Sequence, residues 1–260
     1  MVFSDRDHLG QPDLAIAYLD RAAARMAPLK ARLLALLSPM PGSYVLDLGC
    51  GAGHDLVALA DRDATPIGVD FSEHMVRASR QRCDSLGVRA LVVRADGHRL
   101  PLQSSTVDGC RIERVLQHVD QPVAVLRDVF RVLRPSGRLV AFEPDWDSFV
   151  IESDDAALNA FISAAITSHV RQPHMGSDLR PLLQAAGFRS VECVPDRVEW
   201  SSFDSLRSGV GVEAILERAC KKGVLDSDAV QRWIAEMHDR SANNMFRSGL
   251  DRTIATASRG

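Results

Sequence analysis

Residues 45–54 read Val-Leu-Asp-Leu-Gly-Cys-Gly-Ala-Gly-His, an apolar run that closes on Gly49, Gly51 and Gly53, with Cys50 between them and Asp47 two residues ahead. Glycines spaced this way let the backbone turn sharply and let a ligand approach the main chain closely. Two ligand classes compete for such a turn. The dinucleotide fingerprint asks for a further Gly or Ala where this chain has His54. Asp47 supplies the sign of the field. A carboxylate there repels a pyrophosphate but attracts a sulfonium and an α-ammonium, by on the order of 1–4 kcal/mol at the dielectrics of partly exposed sites. The turn therefore suits S-adenosylmethionine better than a nicotinamide dinucleotide.

A second acid, Asp70, ends the next apolar run about twenty residues on, where a carboxylate can accept hydrogen bonds from both ribose hydroxyls. That role serves either cofactor, and a bare helix-capping role competes with it. The third is Asp96 in Arg94-Ala95-Asp96-Gly97. An isolated Asp-Gly is a plain turn; after the first two acids, the adenine amino group is the better partner.

Acceptor-side candidates come from the segments after the fourth and fifth expected strands, because ligands of open α/β sheets gather at the strands' carboxyl ends. His118, in Gln-His-Val-Asp, is the candidate general base, against a capping or surface histidine. Glu143 is a second candidate base or substrate ligand, against a strand-end hydrogen-bond acceptor. Trp146 and Phe149 could wall an apolar pocket, Tyr18 and its helix could close over the cofactor, and His169 and Arg171 lie in an insertion beside the site. No third ligand is spaced to join His169 and His174, so no metal is expected.

These residues need elements to hold them. Apolar spacing predicts strands at 44–48, 66–69, 91–94, 107–112 and 138–142, alternating with helices that start at residue 55, at residue 73 behind a Ser72 cap, and at Pro122. Such alternation predicts a doubly wound, Rossmann-like α/β fold, mainly parallel. Before it, residues 13–37 read as helix interrupted near Pro28. After it come an insertion at about 145–176 with a helix at 155–170, a helix at 179–186 and a strand at 191–200. Two helices are expected within 203–241 and a last strand at 253–258. The expected division is an N-terminal helical lid, 1–40, and one domain, 41–260, with helical cap insertions at about 145–176 and 200–250.

The 260 residues carry a formal charge of −3, without the basic excess of a nucleic-acid binder. With 46% hydrophobic and 25% charged residues the chain can bury a core without staples. Five widely spaced cysteines favour reduced thiols and a cytoplasmic setting. No apolar run is long enough to span a membrane, and the charged opening MVFSDRDHLG does not read as a secretory leader.

The segments VLDLGCGAGHD at 45–55, GVDFSEHMV at 68–76, RADGHRLPLQSSTVDGCRIERVLQHV at 94–119 and VLRPSGRLVAFEPDW at 132–146 resemble the class I S-adenosylmethionine-dependent methyltransferases, and within them the ubiquinone/menaquinone C-methylase-like group. The resemblance implies a seven-stranded sheet with an antiparallel last strand, and S-adenosylmethionine turning over to S-adenosylhomocysteine. It implies that Asp47 and the backbone of Gly49 and Gly51 hold the methionine part. Asp70 would hold the ribose, Phe71 and Met75 would pack beside the adenosine, and Asp96 and Gly97, next to Ala95, would sit at the adenine. Glu113 and Arg114 would lie near the methionine carboxylate and the reacting sulfur. The group methylates carbon, oxygen and nitrogen, so the acceptor stays open. A capped pocket suits a small molecule, a quinone-like or prenylated one among them, bound by a monomer or homo-oligomer. The competing readings are a partner subunit that binds the cofactor without chemistry, and a macromolecule methyltransferase. Base-modifying enzymes among the latter often carry Asn/Asp-Pro-Pro-Tyr/Phe where this chain has Glu113-Arg-Val-Leu116.

Overall fold

A computed structural model describes residues 12–168 and 170–260, the side chains of residues 12–15 and 18 excepted. Two helices, α1 (Pro12–Arg25) and α2 (Ala27–Leu37), precede the sheet. The expected interruption is there, at Met26, and Pro28 falls in the first turn of α2, where its missing N–H costs no helical hydrogen bond.

The alternating region follows the apolar pattern closely: β1 (Tyr44–Leu48), α3 (His54–Ala60), β2 (Thr65–Asp70), α4 (Glu73–Ser85), β3 (Leu91–Arg94), β4 (Val107–Glu113), a short 3-10 turn (Leu116–His118), α5 (Pro122–Val132) and β5 (Leu133–Ile151). Ser72 caps α4 by accepting the Met75 N–H, and α5 sinks Val125, Leu126, Val129 and Val132 into the core. The remaining elements are α6 (Ala156–Thr167), α7 (Met175–Ala185), β6 (Arg189–Trp200), α8 (Phe203–Val210), α9 (Val212–Lys221), α10 (Ser227–Ala242) and β7 (Ser248–Ser258).

The sheet has seven strands in the order β3-β2-β1-β4-β5-β7-β6. Strands β1 to β5 run parallel, and β7 lies antiparallel to both β5 and β6. The strand order reverses at β1 and β4, and the crevice beyond their carboxyl ends is where an open α/β sheet binds ligands. Register sets Asp47 beside Arg111 across the β1–β4 pair.

Beyond β5's expected end the structure departs from the pattern. The strand continues to Ile151 and stays paired with β7 as far as Ser248, with an irregularity between Asp145 and Val150. Part of the expected insertion is therefore sheet, a projecting ribbon that carries the cap. Residues 203–242 form three helices rather than two. Gly211, left-handed at φ 72°, ends α8 and opens α9. A separate apolar core holds this cap together: Phe203 meets Trp233 edge to face at 5.6 Å, and Ile162, Ile166, Leu216 and Phe246 are buried around them.

Candidate functional site

The glycine turn is built against the loop that follows β4. Gly49 is left-handed at φ 73°, and a Cβ there would lie 2.3 Å from a Val115 methyl, so only glycine fits. The Gly51 N–H donates to Asp70 Oδ2 at 2.9 Å, and the Ser72 N–H donates to Asp70 Oδ1 at 2.9 Å. Asp70 thus ties the turn after β1 to the start of α4: the capping role read from the sequence is present, the bond to the glycine turn is an addition to it, and the carboxylate also lines the cleft where a ribose would lie. Cys50 and Gly53 pack inward. The thiol is buried, and Gly53 faces Ser79 so closely that a Cβ would come 2.6 Å from its hydroxyl.

A cleft opens beyond these strands, with Gly49, Asp70, Phe71, Asp96, Gly97 and His118 on its walls. Ala95 also lines it, whereas Met75 is buried and is not among the lining residues. The Phe71 ring carries the Arg94 guanidinium 6.0 Å from its centre. Asp96 accepts the His98 N–H at 2.9 Å and lies 2.6 Å from His98 Nδ1. Burial opposes its ionisation, but the His98 contacts outweigh that and hold the carboxyl below its usual value. His98 was not singled out from sequence; its place two residues after a candidate adenine ligand was the available signal.

Asp47 does not line the cleft. It is 1% exposed and sits in a charge cluster under the turn. Arg111 Nη1 reaches Asp47 Oδ1 at 2.9 Å, its Nη2 lies 3.2 Å from Asp55, and it also bonds Glu113. Lys30 from α2 reaches Asp55 at 2.6 Å and Glu113 at 2.9 Å. Burial pushes the Asp47 carboxyl up to about 7, against the pull of Arg111. Burial works on Glu113 as well, but Arg111, Lys30 and Arg114 overcome it and draw its carboxyl down to about 2. Arg114 is held in left-handed backbone at φ 55°, its Nε 3.6 Å from Glu113. Sequence reading missed Arg111, Lys30 and Asp55. An arginine inside the otherwise apolar Gly-Cys-Arg-Ile run was the visible clue.

Among the described residues, Asp47 Oδ2 is buried without a hydrogen-bond partner. A buried carboxylate oxygen left unpaired costs free energy, and a cation supplied by a ligand would remove that cost. With Asp70 and Asp96 on the adjoining cleft wall, the donor and acceptor chemistry here fits S-adenosylmethionine. Asp47 would answer its positive end, Asp70 the ribose, and Asp96 with Gly97 the adenine. No group of three or more potential metal ligands occurs among the described residues.

The structure gives Glu143 a different task from the one its position suggested. Its carboxylate is fully buried away from the cleft and accepts the N–H groups of Val115 and Leu116 at 2.7 Å each and of Gln117 at 3.4 Å. Burial pushes this carboxyl up to about 8 despite the three donors. It clasps the 3-10 turn that carries His118. The cap holds the same turn as well: Trp146 Nε1 donates to Gln117 Oε1 at 2.7 Å, and the N–H groups of Arg171 and Gln172 donate to the Gln117 carbonyl at 3.1 and 3.0 Å. Arg171 also pairs with Asp120, which borders the cleft. Trp146 and Phe149, 6.3 Å apart between ring centres, pack in the cap core rather than lining the cleft. His169 and the side chain of Tyr18 lie outside the described residues.

Known proteins resemble this chain in sequence and in fold. The family described as a methyltransferase domain matches residues 46–141. An uncharacterised 37.1 kDa protein in a transposon of Streptomyces fradiae is 38% identical over 226 residues, a match covering 84% of this chain and 65% of that protein. A demethylmenaquinone methyltransferase of Clavibacter sepedonicus is 30% identical, over 60% of this chain and 69% of its own length. The crystal structure of the YcgJ protein of Bacillus subtilis superimposes with a TM-score of 0.63 at 17% identity, covering 88% of this chain and 97% of that one. No described helix is long and apolar enough to cross a membrane.

Proposed function

We propose, from the premise that this chain belongs to the class I S-adenosylmethionine-dependent methyltransferases, that it transfers the methyl group of that cofactor to a small-molecule acceptor. The observation that carries this reading is the unpaired, buried Oδ2 of Asp47 beneath a glycine turn whose next acidic neighbour, Asp70, faces the cleft.

S-adenosylmethionine supplies a methyl group already activated by the positive charge on sulfur. The chain's own work is then to bind, align and exclude water. Alignment of this kind is worth roughly 7–11 kcal/mol. Rigid support of the His118 turn by Glu143 from the sheet and by Trp146, Arg171 and Gln172 from the cap serves that purpose. Where the acceptor atom carries a proton, a His118 ring nitrogen takes it. Glu143 acts through this turn and is a positioning residue.

A small acceptor is favoured by the helical cap beside the cleft and by the slightly negative formal charge, −3, which does not recruit a polyanion. The demethylmenaquinone methyltransferase among the relatives makes a quinone-like or prenylated ring the first class to screen. The five cysteines are free, in keeping with a reducing, cytoplasmic setting.

The test is calorimetry with S-adenosylhomocysteine and with NAD, followed by a labelled methyl-transfer screen over phenols, quinols and amines. Binding of the first and not the second is expected. Tight NAD binding without S-adenosylhomocysteine binding would refute the reading.

A further inference from the structure

The N-terminal helices are fastened across the cofactor turn by charge on both sides. Leu19 of α1 reaches within 3.5 Å of where a Cβ on Gly51 would lie. Asp20 joins His54 Nε2 at 2.8 Å and Arg82 Nη2 at 2.5 Å. From α2, Lys30 enters the buried cluster, its side chain 16% exposed, against Asp55 and Glu113 at 8% and 5%.

That cluster sets the carboxylates Asp47, Asp55 and Glu113 around one central guanidinium, Arg111. Lys30 is the second cation that both Asp55 and Glu113 touch. Arg111 keeps Nη1 on Asp47 Oδ1, and so sets the direction of the unpaired Oδ2, while its Nη2 and Lys30 together meet Asp55 and Glu113. Without Lys30, one guanidinium must neutralise all three carboxylates alone.

We propose that Lys30 is a positioning residue of the methyl-donor site: it shares the charge of Asp55 and Glu113 with Arg111 so that Arg111 Nη1 stays on Asp47 and orients it, and it couples seating of the N-terminal helices to formation of that site. The inference rests on the cofactor reading above and adds to it a residue outside the glycine motif. Stability alone is a weak reason for such a lysine, because buried ion pairs are often replaceable by apolar residues without loss. A role in orienting Asp47 accounts for its placement.

The titratable and charged groups coupled to Asp47 are Lys30 from α2, Cys50 from the turn, Asp55 from α3, and Cys110 and Arg111 from β4, with Glu113 reaching it through Arg111; β2 sets the uncharged Gly68 beside it. Lys30 lowers the Asp47 carboxyl, so its removal moves that carboxyl's midpoint further up.

The experiment is titration calorimetry of S-adenosylhomocysteine with wild type, Lys30→Met and Lys30→Arg from pH 6 to pH 9, with hydrogen exchange on the wild-type protein. Lys30→Met is expected to weaken binding about tenfold and to move the pH midpoint of affinity upward; Lys30→Arg is expected to restore most of the affinity. In wild type, amides of residues 12–37 are expected to gain protection when the ligand is added. A folded Lys30→Met protein with wild-type affinity and midpoint would overturn the proposal. If that variant does not fold, unchanged exchange in 12–37 of ligand-bound wild type overturns it instead. Wild type that binds no S-adenosylhomocysteine defeats the cofactor reading itself, whereas normal wild-type binding with an indifferent Lys30→Met defeats the Lys30 role alone.

Discussion

Asp47 in β1 and Glu143 in β5 are the two most deeply buried carboxylates on the sheet among the described residues, and their surroundings make them opposites. Burial raises both, to about 7 and about 8. Glu143 spends its oxygens on three backbone N–H groups of a single turn, so its need is met from within the chain. Asp47 shares one oxygen with Arg111 and leaves the other with no partner among the described residues. A carboxylate satisfied by the backbone holds shape; one left half-satisfied beside a ligand-binding turn holds an unmet demand for positive charge. The same residue chemistry thus serves architecture in one region and recognition in the other.

The largest effect is expected at the hub of the Asp47 region. Arg111→Leu strips the central cation from three carboxylates, and loss of one partner from a buried ion network costs about 3–5 kcal/mol. Urea denaturation should show a lower midpoint and an unfolding free energy reduced by that amount, and a stability within experimental error of wild type would mean the cluster is not electrostatically coupled.

Asp47→Asn probes recognition. Affinity for S-adenosylhomocysteine should fall at least about tenfold, equivalent to about 1.4 kcal/mol, while Glu143→Gln should leave it nearly unchanged. The Glu143 variant should instead lower kcat by more than it alters KM, because it loosens the His118 turn. Equal effects of the two substitutions on cofactor affinity would erase the contrast.

The pH dependence separates the two regions further. Both carboxyls sit above their ordinary values in the folded chain, so the folded state binds more protons than the unfolded one between about 4 and the raised values. Stability of the ligand-free protein should therefore decline as pH rises through that window, toward pH 7 for Asp47 and pH 8 for Glu143. Asp47→Asn should remove the part of the decline that ends near pH 7, and Glu143→Gln the part that runs on to pH 8. Ligand carrying an ammonium favours ionised Asp47, so its affinity should rise as pH climbs toward 7. Chemical denaturation at fixed pH values, repeated with ligand, reads both slopes.

The smallest expected effect on binding belongs to His118→Ala. Turnover should drop for acceptors that carry a proton on the reacting atom, with S-adenosylhomocysteine affinity held within about a factor of two. Unchanged turnover with such an acceptor would remove His118 from the chemistry.

The readable part of this protein is the part governed by local rules. Glycines at 49, 51 and 53, the acids at 70 and 96, and the alternation of apolar strands with amphipathic helices are decided by steric and periodic preferences acting over a few residues. That is why the parallel half of the sheet and the cleft wall could be written down from the chain alone. The cap was read coarsely for the same reason. Nothing local announced that β5 would run on to Ile151 or that Gly211 would split a helix pair into three.

Tertiary structure alone decided which charges meet. Arg111 stands 64 residues from Asp47, and Lys30 stands 83 from Glu113; strand register and helix docking bring each pair together. The assignment of Glu143 to a clasp also waited on the fold, because its three partners lie 26 to 28 residues away on a turn with no side-chain signature of its own. Local sequence sets which groups a segment can offer, but burial and long-range pairing decide which of them stays unsatisfied, and that unsatisfied group is the one a ligand can answer.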